Sequence, residues 1–529
     1  MQITYLGHAG FCIETENTII IVDPWLSKEG AFDASWFQYP KNHHMADYVQ
    51  NILMTSTKDK YIYISHEHKD HFDINFLQSL KSRDFTLLLA NFSYQMVKKK
   101  LDDVNYQCHK IALLNDNENF VFKDGVLILF LIDTELNTDS AILIKSEGQS
   151  FLNINDCKIH DRLESIVNNY GAVDIFTAQF SGASWYPTCY KMTDEEYKKE
   201  CLDKTNNKFE SLLKAIDQIK PKIYLPSAGP PCFLDPMLID FNFQDINSYP
   251  RAPQLIAYLD QHCNGLLSTE WMELFPGDAL DVRTLKQIKK DDSAKVSEKD
   301  FVSYVKAYAK EYEEMFEERN AQNKKVNPQE VFVNLKKELQ AKLHEMHSVN
   351  HMVSSLLYWQ ITECPEKMYC VDLAKKTIEV TSAIQDVNNY CRITTPAWVV
   401  NKVINHEMSW PDFALTFRLT IERVPDIYNT IMHGFLILET EKIHSFCEKM
   451  SVMFKKKDRI NVVYEGKEYS VLRYCPHQGA DLSQGHLEGP YLTCPRHQWR
   501  FDIENGGKCK HNETTIDAMF ICDVEKKCG

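Results

Sequence analysis

Near one end of the chain, Cys475-Pro476-His477 is followed by sixteen residues and then by Cys494-Pro495-Arg496-His497, which sets two thiols and two imidazoles in a pair of short loops. Thiolates stabilise an iron that stays ferric, and neutral imidazoles leave their iron easier to reduce. A C-x-H and C-x2-H pair therefore suits a [2Fe-2S] cluster with one iron on sulfur and the other on nitrogen, poised above the potential of an all-cysteine cluster. Two cysteines and two histidines also suit structural zinc. The single residue inside the first pair and the proline after each cysteine fit a cluster loop better than a zinc knuckle. A second set of ligand types is Ser65-His66-Glu67-His68-Lys69-Asp70-His71. In a loop leaving a strand, His66 and His68 can turn to one side and chelate one metal while Asp70 and His71 face a second.

These residues need elements to hold them. Gly479 supplies backbone freedom after the first cysteine-histidine pair, and Trp499 to Asp502 reads as the strand leaving the second loop. From residue 1 to 280, β-rich runs such as Ile19 to Val22, Tyr61 to Ile64, Phe85 to Leu89, Val126 to Ile132 and Ala141 to Ile144 alternate with helical stretches, which predicts an α/β sandwich of strands covered by helices. His66 follows one of these strands directly. Residues 281 to 360 are rich in Lys and Glu with apolar residues at helical intervals, and Asn327-Pro328 punctuates them, so a helical hairpin connector is expected. His344, His347 and His351 would line one face of its second helix, either as a ligand set or as ordinary surface and packing histidines. Residues 361 to 445 read as a small α+β domain, weakly similar to a lipid-carrier fold, and 446 to 529 as an all-β domain around the cluster. Arg418 and Arg423 could hold an anion or pair with Glu422 and Asp426, and the ion-pair reading is preferred. The aromatic run Phe32 to Tyr39 and the segment Gly182 to Pro187 could wall a pocket, though an aromatic core is the plainer reading.

Length and composition bound the rest. A chain of 529 residues exceeds one hydrophobic core and implies two to four domains. No apolar run approaches membrane-spanning length, and no signal segment is recognised, so a soluble, cytoplasmic protein is expected. Sixteen cysteines in that setting read as reduced thiols. A net charge of −15 disfavours nucleic acid as a partner and leaves room for an anionic small molecule held by local cations.

The C-terminal ligand pattern resembles that of Rieske domains, and His66 to His71 matches the H-x-H-x-D-H signature of the metallo-β-lactamase superfamily. Several blocks are more specific: Gln2 to Ala9, Val22 to Leu26, Tyr63 to His66, Asn153 to Cys157, Phe180 to Ser184, Leu225 to Gly229, Trp410 to Phe413 and Arg423 to Tyr428 resemble CMP-N-acetylneuraminate hydroxylases, which combine both modules. The resemblance implies that Asp156 occupies the metal-bridging aspartate position. It also places Glu135 where the family has a histidine, puts His8 close to the metals or substrate, and leaves no histidine at the final ligand position, where Pro226-Ser227-Ala228-Gly229 stands. His8 could equally be a structural histidine. In that family the Rieske domain comes first, whereas here it comes last.

The function expected from these residues is that of a Rieske-type non-haem iron oxygenase. An external ferredoxin or flavin reductase would reduce the cluster at Cys475, His477, Cys494 and His497. Electrons would pass to one or two irons held by His66, His68, Asp70, His71, Glu135 and Asp156, because oxygen-rich shells with open positions suit iron. The substrate would be a polar small molecule, hydroxylated at carbon or oxygenated at an amine nitrogen, with a nucleotide-sugar hydroxylase proper as one alternative. Another is a metal-dependent hydrolase with zinc in the N-terminal site and a regulatory cluster; a third is a non-catalytic electron carrier. The absence of a D-x2-H-x4-H pattern turns attention to the N-terminal half for the catalytic metal. The cluster must fold back onto that half within one chain or across a homo-oligomer.

Overall fold

The computed structural model describes residues 1–263, 268–291, 294–509 and 514–523. Its N-terminal unit is the expected sandwich, built from two sheets. The first runs Lys286–Lys289, Ala279–Asp281, Gln2–Gly7, Gly10–Glu14, Thr18–Val22, Asp59–Ile64, Thr86–Ala90 and Lys110–Leu114. The second runs Glu270–Trp271, Ile223–Ser227, Ile175–Gln179, Gln149–Asn155, Thr138–Ser146, Gly125–Asp133 and Asn119–Phe122. The parallel strands are buried on both faces, which is why their sequences are unbroken apolar runs such as Thr18–Val22. Phe11, Ile20, Tyr63 and Leu88 from one sheet meet Leu127, Ile142, Phe151 and Leu225 from the other. Helix Met45–Thr55 covers the first sheet, and helices Leu163–Tyr170, Asp194–Ile219 and Ala252–His262 cover the second. The unit runs past the expected boundary at 280, because Ala279–Asp281 pairs with Gln2–Thr4 and Lys286–Lys289 extends the edge.

The 281 to 360 segment is not one connector. Helices Phe301–Lys310 and Glu313–Asn323 lie on the sandwich through Phe301, Val305, Tyr308 and Phe316, which pack with Phe37, Cys232 and Leu234. Helix Pro328–Glu345, capped by Asn327, instead buries Val331, Leu335, Leu339 and Leu343 against Leu357, Trp359 and Ile393 of the next domain. That domain is a five-stranded sheet, ordered Thr377–Thr381, Met368–Asp372, Leu356–Ile361, Tyr390–Thr395 and Thr420–Val424, with helices on it up to Thr440–Lys455. The last helix crosses the expected boundary at 445. The histidine face expected over 344 to 351 does not form. Helix Pro328–Glu345 stops before His347, since Met346 turns extended (ψ 132°), and His344 is exposed.

The middle domain is fixed to the sandwich. Phe32 and Trp36 are part of the shared core, Trp185 packs there too, and Tyr39 at the end of the run lines a cavity with Pro230 and Arg251. Ile421 N–H donates to Cys189 O and Ile421 O accepts from Lys191 N–H, both at 2.8 Å. Buried Arg418 pairs with Asp235 at 2.7 Å and Asp33 at 3.1 Å, not with Glu422, while Arg423 pairs with Asp426 at 2.6 Å. The C-terminal domain is all-β: a three-stranded sheet of Arg459–Tyr464, Lys467–Leu472 and Met519–Asp523, and a four-stranded sheet of His486–Glu488, Tyr491–Thr493, Arg500–Asp502 and Lys508–Cys509. None of the described cysteines is disulfide-bonded, and no described helix is long and apolar enough to cross a membrane.

Candidate functional site

The first site sits at the carboxyl ends of the parallel strands, the edge where open α/β sheets usually receive ligands. His66 to His71 follow Asp59–Ile64, Asp156 follows Gln149–Asn155, and His8 lies in the turn between Gln2–Gly7 and Gly10–Glu14. Several non-glycine residues around it hold left-handed backbones: His8 (φ 52°), Asp23 (φ 40°), Glu135 (φ 67°) and Asn155 (φ 44°). Strain of this kind persists where surrounding contacts over-determine a site.

Two groups of ligand atoms converge, each within 4.8 Å: His66, His71 and Asp156, and His8, Asp70 and His71. His68 joins the first, its Nδ1 2.8 Å from His66 Nε2. His8 Nε2 lies 3.1 Å from Asp70 Oδ2, which makes His8 a possible ligand as well as a proton-holding group. Glu135 belongs to neither group. Its Oε1 takes Lys449 at 2.9 Å, and its Oε2 is buried without a partner.

Outer carboxylates aim the imidazoles. Asp23 lies 2.9 Å from His71 Nδ1, and it also accepts from Ser65 Oγ at 2.7 Å and Asn155 Nδ2 at 2.9 Å. His66 Nδ1 meets Ser65 Oγ at 3.0 Å and Asp139 at 3.3 Å. Both histidines therefore present Nε2 to the centre, the arrangement by which carboxylates orient metal-bound imidazoles. Neither Asp23 nor Asp139 was singled out as functional from sequence, because a lone carboxylate carries no spacing signal.

Charge is concentrated here. Against a desolvation that opposes it, the carboxylates of Asp70, Asp156 and Asp23 raise His71 to about 10. Asp70 is held well below the usual carboxylate range, chiefly by His71 and His8 overcoming its burial. Asp70 Oδ1, His71 Nε2, Asp156 Oδ1 and Glu135 Oε2 are all buried without a hydrogen-bond partner. Each such atom costs about 1–3 kcal/mol unless something satisfies it, and a shared cation would satisfy several. The donor set thus fits one or two metal ions bound by imidazole and carboxylate.

The second site is the cluster pair. Cys475 and Cys494 are buried, and their thiols interact directly. The rings of His477 and His497 lie 4.5 Å apart, with His477 stacked on Trp499 at 4.1 Å and Tyr428 edge-on to both His477 and Trp499. His477 Nδ1 is buried and unpartnered. Burial, and then Lys158, push His497 down to about 3, and burial pushes His477 down as well, so both stay neutral as ligands must. These four side chains fit a [2Fe-2S] cluster.

The loops that carry the two sites are in contact. From the first cluster loop, Gln478 Oε1 accepts from Thr134 Oγ1 at 3.2 Å, next to Glu135. From the second, Arg496 binds Asp161 at 2.8 Å, five residues after Asp156. Five residues span at most about 18 Å when extended, and this stretch is folded by the turn bonds Cys157 N to Ile154 O and Arg162 N to Ile159 O. Lys158 acts electrostatically on both Asp156 and His497.

With this geometry the class of the chain is defined: a metallo-β-lactamase-like domain joined through a mixed helical and sheet region to a C-terminal Rieske domain. The family description "Beta-lactamase superfamily domain" matches residues 2–147 and "Rieske [2Fe-2S] domain" matches residues 437–519. A protein of Mycolicibacterium smegmatis, named "Putative Rieske 2Fe-2S iron-sulfur protein", is 26% identical over 529 residues, covering 96% of this chain and 97% of that one. The cytidine monophosphate-N-acetylneuraminic acid hydroxylase of Xenopus laevis is 24% identical over 469 residues, covering 81% of this chain and 70% of its own. Among solved structures, CmlA, a diiron beta-hydroxylase from Streptomyces venezuelae, is similar at 16% identity and a TM-score of 0.35, covering 51% of this chain and 52% of that one.

Proposed function

We propose that the chain is a Rieske-type non-haem iron oxygenase acting on a polar small molecule. One observation carries this reading: the cluster loops dock on the loops that carry Glu135 and Asp156, through Gln478 with Thr134 and Arg496 with Asp161. A hydrolase has no use for that arrangement, and a plain electron carrier has no use for the converging His66, His71 and Asp156. The hydroxylase-named relatives are consistent with it.

With iron bound at both places, the N-terminal centre would supply dioxygen activation and the cluster the electrons for it. Asp23 and Asp139 fix the tautomer and direction of His71 and His66. His8, against Asp70, can hold or release a proton at Nε2. Trp25, packed edge-on to His8 at 5.1 Å, and Phe32, 6.1 Å from His68, exclude water from that side. The electron donor is a ferredoxin or flavin reductase, and electrons pass within one chain. The reaction in this reading is hydroxylation at carbon or oxygenation at an amine nitrogen, with a nucleotide sugar as one candidate substrate.

Metal analysis after anaerobic reconstitution with ferrous iron tests the reading. More than two irons per chain are expected, with reductant consumed only when substrate and dioxygen are both present. Zinc retained at the N-terminal site and turnover independent of dioxygen would contradict it in favour of hydrolysis, and no metal beyond the cluster would leave only a carrier.

A further inference from the structure

Three lysines converge near the contacts that join the loops of the two centres. Lys158 Nζ and Lys208 Nζ donate to the same atom, Gln179 Oε1, at 3.0 and 2.7 Å. Lys204, one turn before Lys208 on helix Asp194–Ile219, donates to Ser184 Oγ at 2.7 Å and to Tyr186 O at 2.9 Å. All these acceptors are neutral, and among the described residues none of the three ammonium groups forms an ion pair. Elsewhere around the centres, Arg496 is met by Asp161, Lys442 by Glu67 and Arg418 by Asp33 and Asp235. Like charges one helical turn apart repel, and half-buried ammonium groups around one amide oxygen hold together poorly unless an anion joins them.

We propose that Lys158, Lys204 and Lys208 form an anion subsite that takes a carboxylate or phosphate group of the substrate, beside the loop of Asp156 and the cluster loop of His497. The assignment to substrate rests on the oxygenase reading; the binding site does not. Its position supports it independently of the lysines' own geometry. Lys158 lies two residues after Asp156, while Arg496 and Gln498, on either side of His497, reach Asp161 at 2.8 Å and Ser211 Oγ at 3.4 Å, Ser211 lying one turn after Lys208 on the same helix. Nearby Ser181 Oγ and His160 Nδ1 are buried with no partner. Burial also lowers Lys204 to about 8, as expected for an ammonium group lacking a counterion.

Inorganic phosphate and succinate are titrated separately into the cluster- and iron-loaded protein by calorimetry, without turnover, so that failure of oxygenation cannot mask the result. Saturable binding of at least one is expected, and which one binds identifies the anion. Lys208→Gln and Lys204→Gln should each weaken it about tenfold or more, while Lys208→Arg retains it and the cluster's visible spectrum stays unchanged. Bound anion should also lower the cluster's reduction potential, since negative charge near His497 opposes adding an electron, and the glutamine variants should lose that shift. No saturable binding by wild type, or binding equal in wild type and both glutamine variants, as an anion held by the metals alone would give, overturns the proposal.

Discussion

His71 takes part in both groups of converging ligand atoms, and its direction depends on Asp23 at 2.9 Å. Asp23→Asn keeps the shape and removes the charge. Metal affinity of the N-terminal centre is expected to fall about 10- to 100-fold, measured as iron per chain after dialysis against a chelator, while the cluster's absorption is unchanged. Glu135 needs a paired test because Lys449 already occupies one of its oxygens. Glu135→Ala should lower metal occupancy and Lys449→Met should not; full occupancy in both would remove Glu135 from the ligand set. The His66 to His71 run was legible in sequence because its ligands are adjacent, so spacing alone reveals them. Asp23 and Asp139, 48 and 68 residues away from His71 in sequence, acquire their roles only through sheet pairing. The same holds for Lys158 with Lys204 and Lys208, which meet across a strand end and a helix.

Elements were legible where periodicity was local. The strands of the sandwich follow from apolar runs and the β-rich cluster domain from its ligand loops, but the boundaries at 280 and 445 fall inside a strand and a helix, since hydropathy does not reveal which sheet an edge strand joins. Helix Pro328–Glu345 looked like a connector because its outer face is charged, yet its inner face is core. Helix Thr430–Ile437 offers a pH test. Its His433 packs on Trp185 and Tyr428, and burial and then Arg423 lower it to about 4. Between about pH 4 and 6.5 the unfolded chain binds the proton that the folded chain refuses, so stability rises with pH there and is lost as pH falls. The loss from pH 7 to 5 attributable to this residue is at most about 2 kcal/mol. His433→Phe should flatten that part of the pH dependence of the urea midpoint; an unchanged slope would show that His433 is not held neutral.

Across the whole molecule, the C-terminal domain meets the N-terminal one through a few polar contacts, among them Arg496 with Asp161, which joins the residue before His497 to the loop after Asp156. Asp161→Asn is expected to slow electron delivery severalfold while leaving cluster and metal content intact, because a partly buried charge pair fixes orientation more than it adds stability. The central claim is that electrons leave the cluster for the N-terminal centre of the same chain. Its most direct test is rapid mixing of the chemically reduced protein with dioxygen and substrate, following cluster reoxidation optically. The account predicts fast reoxidation at a rate independent of protein concentration, slowed at least about tenfold in a His66→Ala, His71→Ala double variant that keeps its cluster. Reoxidation at the same rate in that variant would contradict it.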